Sequence, residues 1–285
     1  MSRDLVVAAI AAAIAAAPIA QHGIWSDAAL VLIAGAAALL GGFSRPAAVA
    51  SQRFIVFATI AAGMAPDAQD RLALAVLIAL GAIWAALCAL AIEMAVPHRG
   101  TGRASPVDLR STAPLAQRGR RWRRTLGTRA GWAYPLRLTA GLAGAGLLRE
   151  ALPDHHYSWI AVAVALLTQR QSEGLVVKVT QRAFGVAAGI VAVELIAASV
   201  LPGGTLVAVA GILAALRPWL RRRNYAAYTA ASTPLIMLFA SGGETIGEGL
   251  LLDRLIATLI AGMLVIGSWL AARRCLATPP AFGVT

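Results

Sequence analysis

The chain has 285 residues, of which 59% are hydrophobic and only 13% charged, with a formal net charge of +12. A soluble domain carries about 25% charged residues to wet its surface, so a mean hydropathy of +0.73 argues against a soluble protein and for a polytopic membrane protein. The positive excess does not point to nucleic acid: 24 of the 25 basic residues are arginine, clustered between apolar runs, as in loops retained in the cytoplasm.

A bilayer core about 30 Å thick requires roughly 20 mostly apolar residues per helix. The first run, about 5–20, has the basic start and Ala-rich stretch of a signal peptide, but Pro18 lies at the −3 position for a cut after Ala20. It is read as a retained helix. Further spans are expected at about 27–43, 53–66 and 72–95, which form a four-helix N-terminal half over residues 1–95. Residues 96–136, rich in Pro, Gly and Arg with Asp108 as the lone acid, read as a cytoplasmic linker held against anionic headgroups. Six more spans are expected at about 137–152, 157–170, 183–201, 204–217, 225–241 and 251–272, making a C-terminal half over 137–275 before a tail at 276–285.

Charge tests this count. With both termini cytoplasmic, 22 of the 25 basic residues fall inside, and only Arg71, Arg149 and Arg254 lie outside, each beside a span. One span more or fewer in the middle would invert half the pattern, so the fold class is all-α, with about ten spans. RLALAVLIALGAIW (Arg71 to Trp84) resembles RLIATLIAGMLVIGSW (Arg254 to Trp269), and Arg45-Pro46 precedes the third span as Arg217-Pro218 precedes the ninth. The two halves therefore read as unequal parallel repeats, an arrangement in which substrate sits between the copies.

Enzyme chemistry is not expected. His22, His98 and the His155-His156 pair are scattered in loops, Cys88 and Cys275 read as free thiols, and HExxH, GxSxG and metal-ligand spacings do not occur. No metal and no cofactor are expected.

The polar residues at membrane depth are more specific. Tyr157 and Trp159 open a span that ends in Thr168-Gln169. The next begins with Gln181-Arg182, followed by Gly185 and Gly189, and NYAAYTAASTPL runs from Asn224 to Leu235. These motifs resemble the fusaric acid resistance (FUSC) family, well over 137–272 and loosely over 1–95. The resemblance implies a bacterial inner-membrane protein related to aromatic acid exporters, with two six-helix halves, where this chain shows four helices in its first. Assembly of several copies would fit the shorter half.

Each motif admits a chemical reading. Gly185 and Gly189 form a small-residue face for close helix packing, and Tyr157 and Trp159 suit interface anchors. Arg182 with Thr168 and Gln169 can hold a carboxylate, the guanidinium making the bidentate contact. Arg182 and Lys178 can equally snorkel to headgroups. Tyr225, Tyr228, Thr229, Ser232 and Thr233 share one helix face, suited to an aromatic ring with a polar edge, and Pro234 can free a carbonyl there. Glu194, the acid deepest within a span, is the proton-coupling candidate, against a protonated residue bonded to a neighbouring helix. The leading reading is efflux of organic, aromatic carboxylic anions across the lipid bilayer, coupled to protons and without nucleic acid as partner. A passive anion channel or a non-transporting membrane scaffold are the alternatives.

Overall fold

The computed structural model describes residues 23–64, 76, 80, 114–152, 158–171, 173–199, 203–240 and 248–276. The expected spans at 5–20 and 72–95, Tyr157, the His155-His156 pair, linker residues 96–113 and tail residues 277–285 lie outside the described residues. Among the described residues the chain is helical, without strands. The helices are α1 (Ile24–Leu40), α2 (Arg45–Met64), α3 (Leu115–Leu126), α4 (Arg129–Ala151), α5 (Ser158–Leu167), α6 (Leu175–Ala198), α7 (Gly203–Arg223), α8 (Tyr225–Ala240) and α9 (Glu248–Leu276). Four segments are long and apolar enough to cross a membrane: Arg45–Gly63, Leu175–Ala198, Gly204–Arg221 and Gly249–Cys275.

Two differences from the sequence reading concern helix limits. The segment expected to be linker up to residue 136 contains α3 and the first turns of α4, which begins at Arg129. Arg217-Pro218 does not precede a span but lies inside α7, which continues to Arg223. Arg45-Pro46 does begin a helix, so the two Arg-Pro pairs are not structurally equivalent.

The chain divides into two compact units, one of 1–147 with 268–285 and one of 148–267. In the first, α1 and α2 form a hairpin turned at Gly41–Ser44. The Ser44 hydroxyl accepts from the Ala47 amide (3.2 Å) and so caps α2, whose second residue is Pro46. Leu30 and Ala58 are the buried centre, covered by Ile33, Phe54 and Phe57.

The second unit is built on the packing of α6 against α8. A Cβ at Gly185 would stand 2.5 Å from the Ala226 carbonyl and 2.7 Å from Thr229 Cβ, and one at Gly189 would stand 2.5 Å from Thr233 Cβ and 2.8 Å from the Ala230 carbonyl. Only hydrogen fits at either site, so the backbones approach closely, the arrangement small residues permit in lipid. The Ala230 carbonyl is also the one that Pro234, lacking an N–H, cannot engage within α8. The contacts advance in the same direction along both helices, so α6 and α8 run parallel, and the connecting α7 packs against α8. Asn224 Oδ1 accepts from the Ala226 amide (2.9 Å) and caps α8.

Lipid-facing composition follows from the same unit. Phe184, Val207, Ile212, Leu252 and Met263 are all more than half exposed, and none of the apolar window of α7 is buried. Hydrocarbon is the solvent such a surface fits.

Replacing Gly185 or Gly189 by Ala overpacks the α6–α8 contact at about 1–3 kcal/mol. Both variants should melt earlier in detergent than wild type. Gly211→Ala, where a Cβ would meet nothing within 4 Å, should melt with wild type. Equal melting of all three would remove the close contact.

Candidate anion site

α5 is the most enclosed helix of the second unit. Ile160, Val162, Ala163, Val164, Ala165 and Leu167 are buried, and as described it is ten residues long, about 15 Å. That is half the hydrocarbon thickness. The Thr168 that follows its C-terminal end is 2% exposed, with its hydroxyl lacking a hydrogen-bond partner among the described residues.

Two arginines are buried in this unit. Arg182, in the second turn of α6, is 5% exposed, and Arg254, in the second turn of α9, is 4% exposed. They lie near enough for their like charges to repel. Arg254 rests over the Trp159 ring, its Cζ 3.9 Å from the centroid, a cation–π contact worth about 2 kcal/mol when desolvated. Arg182 Nη1 donates to the Tyr225 hydroxyl over a long 3.5 Å. Tyr225 stacks on Tyr228 (centroids 6.1 Å apart, planes at 27°). The Tyr228 hydroxyl accepts from Arg217 Nη2 at 3.0 Å, and the Arg217 guanidinium lies 5.2 Å from its ring centroid. Three guanidinium groups and three aromatic rings thus form a chain: Trp159, Arg254, Arg182, Tyr225, Tyr228, Arg217.

The Nε donors of Arg182, Arg217 and Arg254 are buried and unbonded. Among the described residues, no carboxylate is paired with Arg182 or Arg254. Arginine keeps its proton in proteins, so two cations without a carboxylate partner among the described residues share a low-dielectric interior, a state that costs several kcal/mol per charge. An anion between them would relieve the repulsion and satisfy the free Nε and hydroxyl donors.

The residues singled out from sequence divide accordingly. Arg182, Tyr225, Tyr228 and Trp159 belong to the arginine–aromatic region, Trp159 with Arg254 as its partner, and Thr168 is buried just beyond the end of α5. Gln169 is engaged differently, its Oε1 accepting from Lys178 Nζ at 2.5 Å. Thr229 and Thr233 lie in the α6–α8 contact, and their hydroxyls donate to the carbonyls of Tyr225 (2.9 Å) and Thr229 (3.0 Å). Ser232 bonds to the Tyr228 carbonyl in the same way (2.6 Å). These hydroxyls are already satisfied by their own helix. Gly185 and Gly189 form the opposite wall of that contact. Glu194 is exposed and stands twelve residues, about 18 Å, along α6 from Arg182. Arg254 and Arg217 are the site residues that sequence reasoning missed.

Residues 142–267 match the family described as fusaric acid resistance protein-like, a segment nearly coextensive with the second compact unit. The family carries a general membrane transport and efflux role. The comparisons with curated proteins and with solved structures found no match.

If the two buried cations strain the empty site, replacing either by an apolar residue of similar length removes the strain. Arg182→Met and Arg254→Met should melt no lower than wild type in anion-free detergent buffer. Added benzoate should raise the melting temperature of wild type and leave both variants unmoved, because a ligand stabilises only the chain that binds it. A benzoate shift retained in both variants would place the anion elsewhere.

Proposed function

We propose that this chain is a bacterial inner-membrane efflux carrier for organic anions, aromatic carboxylates among them, with the binding site between Arg182 and Arg254. The observation that carries the reading is the pair of buried guanidinium groups without a carboxylate partner among the described residues, set among aromatic rings. The carboxylate accepts from Arg182 and the Thr168 hydroxyl at one end of its path and from Arg254 at the other, charge-assisted bonds to the arginines being stronger than neutral ones. The substrate's ring packs beside Trp159 and Tyr225. Thr229 and Thr233 act as packing residues, and Gln169 stands aside with Lys178. Ten spans with both termini cytoplasmic complete the reading, supported by the segregation of arginine in the sequence.

Proton coupling is given no carrier here. Glu194 is exposed and lies twelve residues along the helix from Arg182, apart from the anion site.

The test is retention of labelled hydroxybenzoate by cells expressing the chain. Wild type should lower retention. A charged hydrogen bond is worth about 1.5–3 kcal/mol, so Arg182→Ala and Arg254→Ala should each slow export by roughly tenfold or more, with Thr168→Val less severe. Export by both arginine variants at the wild-type rate would sink the assignment. No difference between wild-type and empty cells would remove aromatic acids as substrate.

A further inference from the structure

The helix α3 is not used by the transport reading. Its sequence LAQRGRRWRRTL carries five arginines and no acid, and none of its residues is buried. Leu115, Gly119, Trp122 and Leu126 recur at spacings of four, three and four, which sets an apolar stripe along one side. Arg120, Arg121, Arg123 and Arg124 are exposed around it.

The placement of this helix is fixed by Trp122. Its indole N–H donates to the Leu39 carbonyl at 3.0 Å, in the last turn of α1. Its ring meets Phe43 edge-on, centroids 6.3 Å apart, and leaves no room for a side chain at Gly42 without displacement (3.1 Å to the Leu39 carbonyl, 3.3 Å to the indole). α1 is an apolar helix, so its end marks the border of the hydrocarbon. At the C-terminus of α3, the Trp132 indole donates to the Leu126 carbonyl at 2.8 Å, and Gly131 abuts the Thr125 carbonyl with no space for a Cβ. The C-terminal half of α3 is therefore held, with one tryptophan in it and another just beyond it, the residue type that settles at headgroup depth.

We infer that α3 is an interfacial helix that binds anionic lipid headgroups, its arginines meeting phosphates while Trp122 ties it to the end of α1 and the exposed Leu115 faces the acyl chains. Charge favours this occupant: four exposed guanidinium groups without an acid on the helix match a negatively charged leaflet. An amphipathic helix with a basic polar face and Trp and Leu on the other is the form that lies in the membrane plane. Nucleic acid would need the apolar stripe left in water. The inference does not depend on the transport reading, since α3 lies outside the arginine–aromatic unit.

The experiment is hydrogen exchange on the full chain in nanodiscs of phosphatidylcholine alone and of phosphatidylcholine with phosphatidylglycerol. Amides of 115–126 should exchange about fivefold or more slowly with phosphatidylglycerol present, the effect of a single arginine at the surface being already of that size. Replacing Arg120, Arg121, Arg123 and Arg124 by Gln should erase the lipid dependence, and replacing the same four by Lys should retain it. Equal exchange of wild type in the two lipids overturns the inference. So does a lipid effect that survives in the Gln variant, or stronger protection by a short RNA in phosphatidylcholine discs than by phosphatidylglycerol.

Discussion

The second unit is organised around a repulsion. Arg182 and Arg254 are both buried, and the charge of Arg182 reaches Arg254. Neither can shed its proton. A protein that keeps such a pair accepts a cost of several kcal/mol in the empty state. The surrounding residues read as means of limiting that cost without cancelling it. Trp159 offers Arg254 the negative face of an indole, and Tyr225 offers Arg182 a phenolic oxygen at the long end of hydrogen bonding. A carboxylate in either place would neutralise the site permanently. Aromatic partners leave the charge available, yet give each guanidinium somewhere to rest when the anion departs. Binding that is favourable enough to enter and weak enough to leave is what conduction or export requires.

Holding that arrangement is the work of the α6–α8 contact. Arg182, Gly185 and Gly189 lie along one face of α6, and Tyr225, Thr229 and Thr233 along one face of α8, and they meet in three successive layers: Arg182 with Tyr225, Gly185 with Thr229, Gly189 with Thr233. The two glycines let the helices touch, and the threonine hydroxyls turn back on their own carbonyls, so the interface is tight and internally satisfied. The first layer is where packing gives way to function. There the small residue is replaced by an arginine and the threonine by a tyrosine, and the contact lengthens to 3.5 Å.

Much of this was legible in the chain. Apolar runs located the helices because lipid demands backbone bonds satisfied within each segment, and GVAAG announced a close contact because only small residues permit one. Arg182 drew attention as a charge inside a motif. Arg254 did not, because in linear order it follows Asp253 at the end of an apolar run and looks like an interfacial residue. Its burial depends on α5 and α6, nearly a hundred residues earlier in the chain. Thr229 and Thr233 looked like a substrate-facing stripe, since a sequence does not reveal whether a hydroxyl bonds outward or to the carbonyl four residues back. α3 was hidden by composition. Its arginines suggested a solvated linker, and the stripe of Leu115, Trp122 and Leu126 emerges only at helical spacing.

The depth of the two arginines gives the proposed topology its mechanical sense. On that topology α6 enters from the cytoplasm and α9 from outside. Arg182 is seven residues beyond the start of α6 and Arg254 six beyond the start of α9, depths of about 10 Å and 9 Å at 1.5 Å per residue. In a core about 30 Å thick, roughly 10 Å then separates the two levels, short enough for their charges to interact when the medium between them is protein. A pair approached from opposite faces thus converges on the middle of the membrane. An anion there is within reach of Arg182 from the inner side and of Arg254 from the outer. Passing it from one guanidinium to the other requires only a small exchange of partners, with Tyr225 and Trp159 receiving whichever arginine is released.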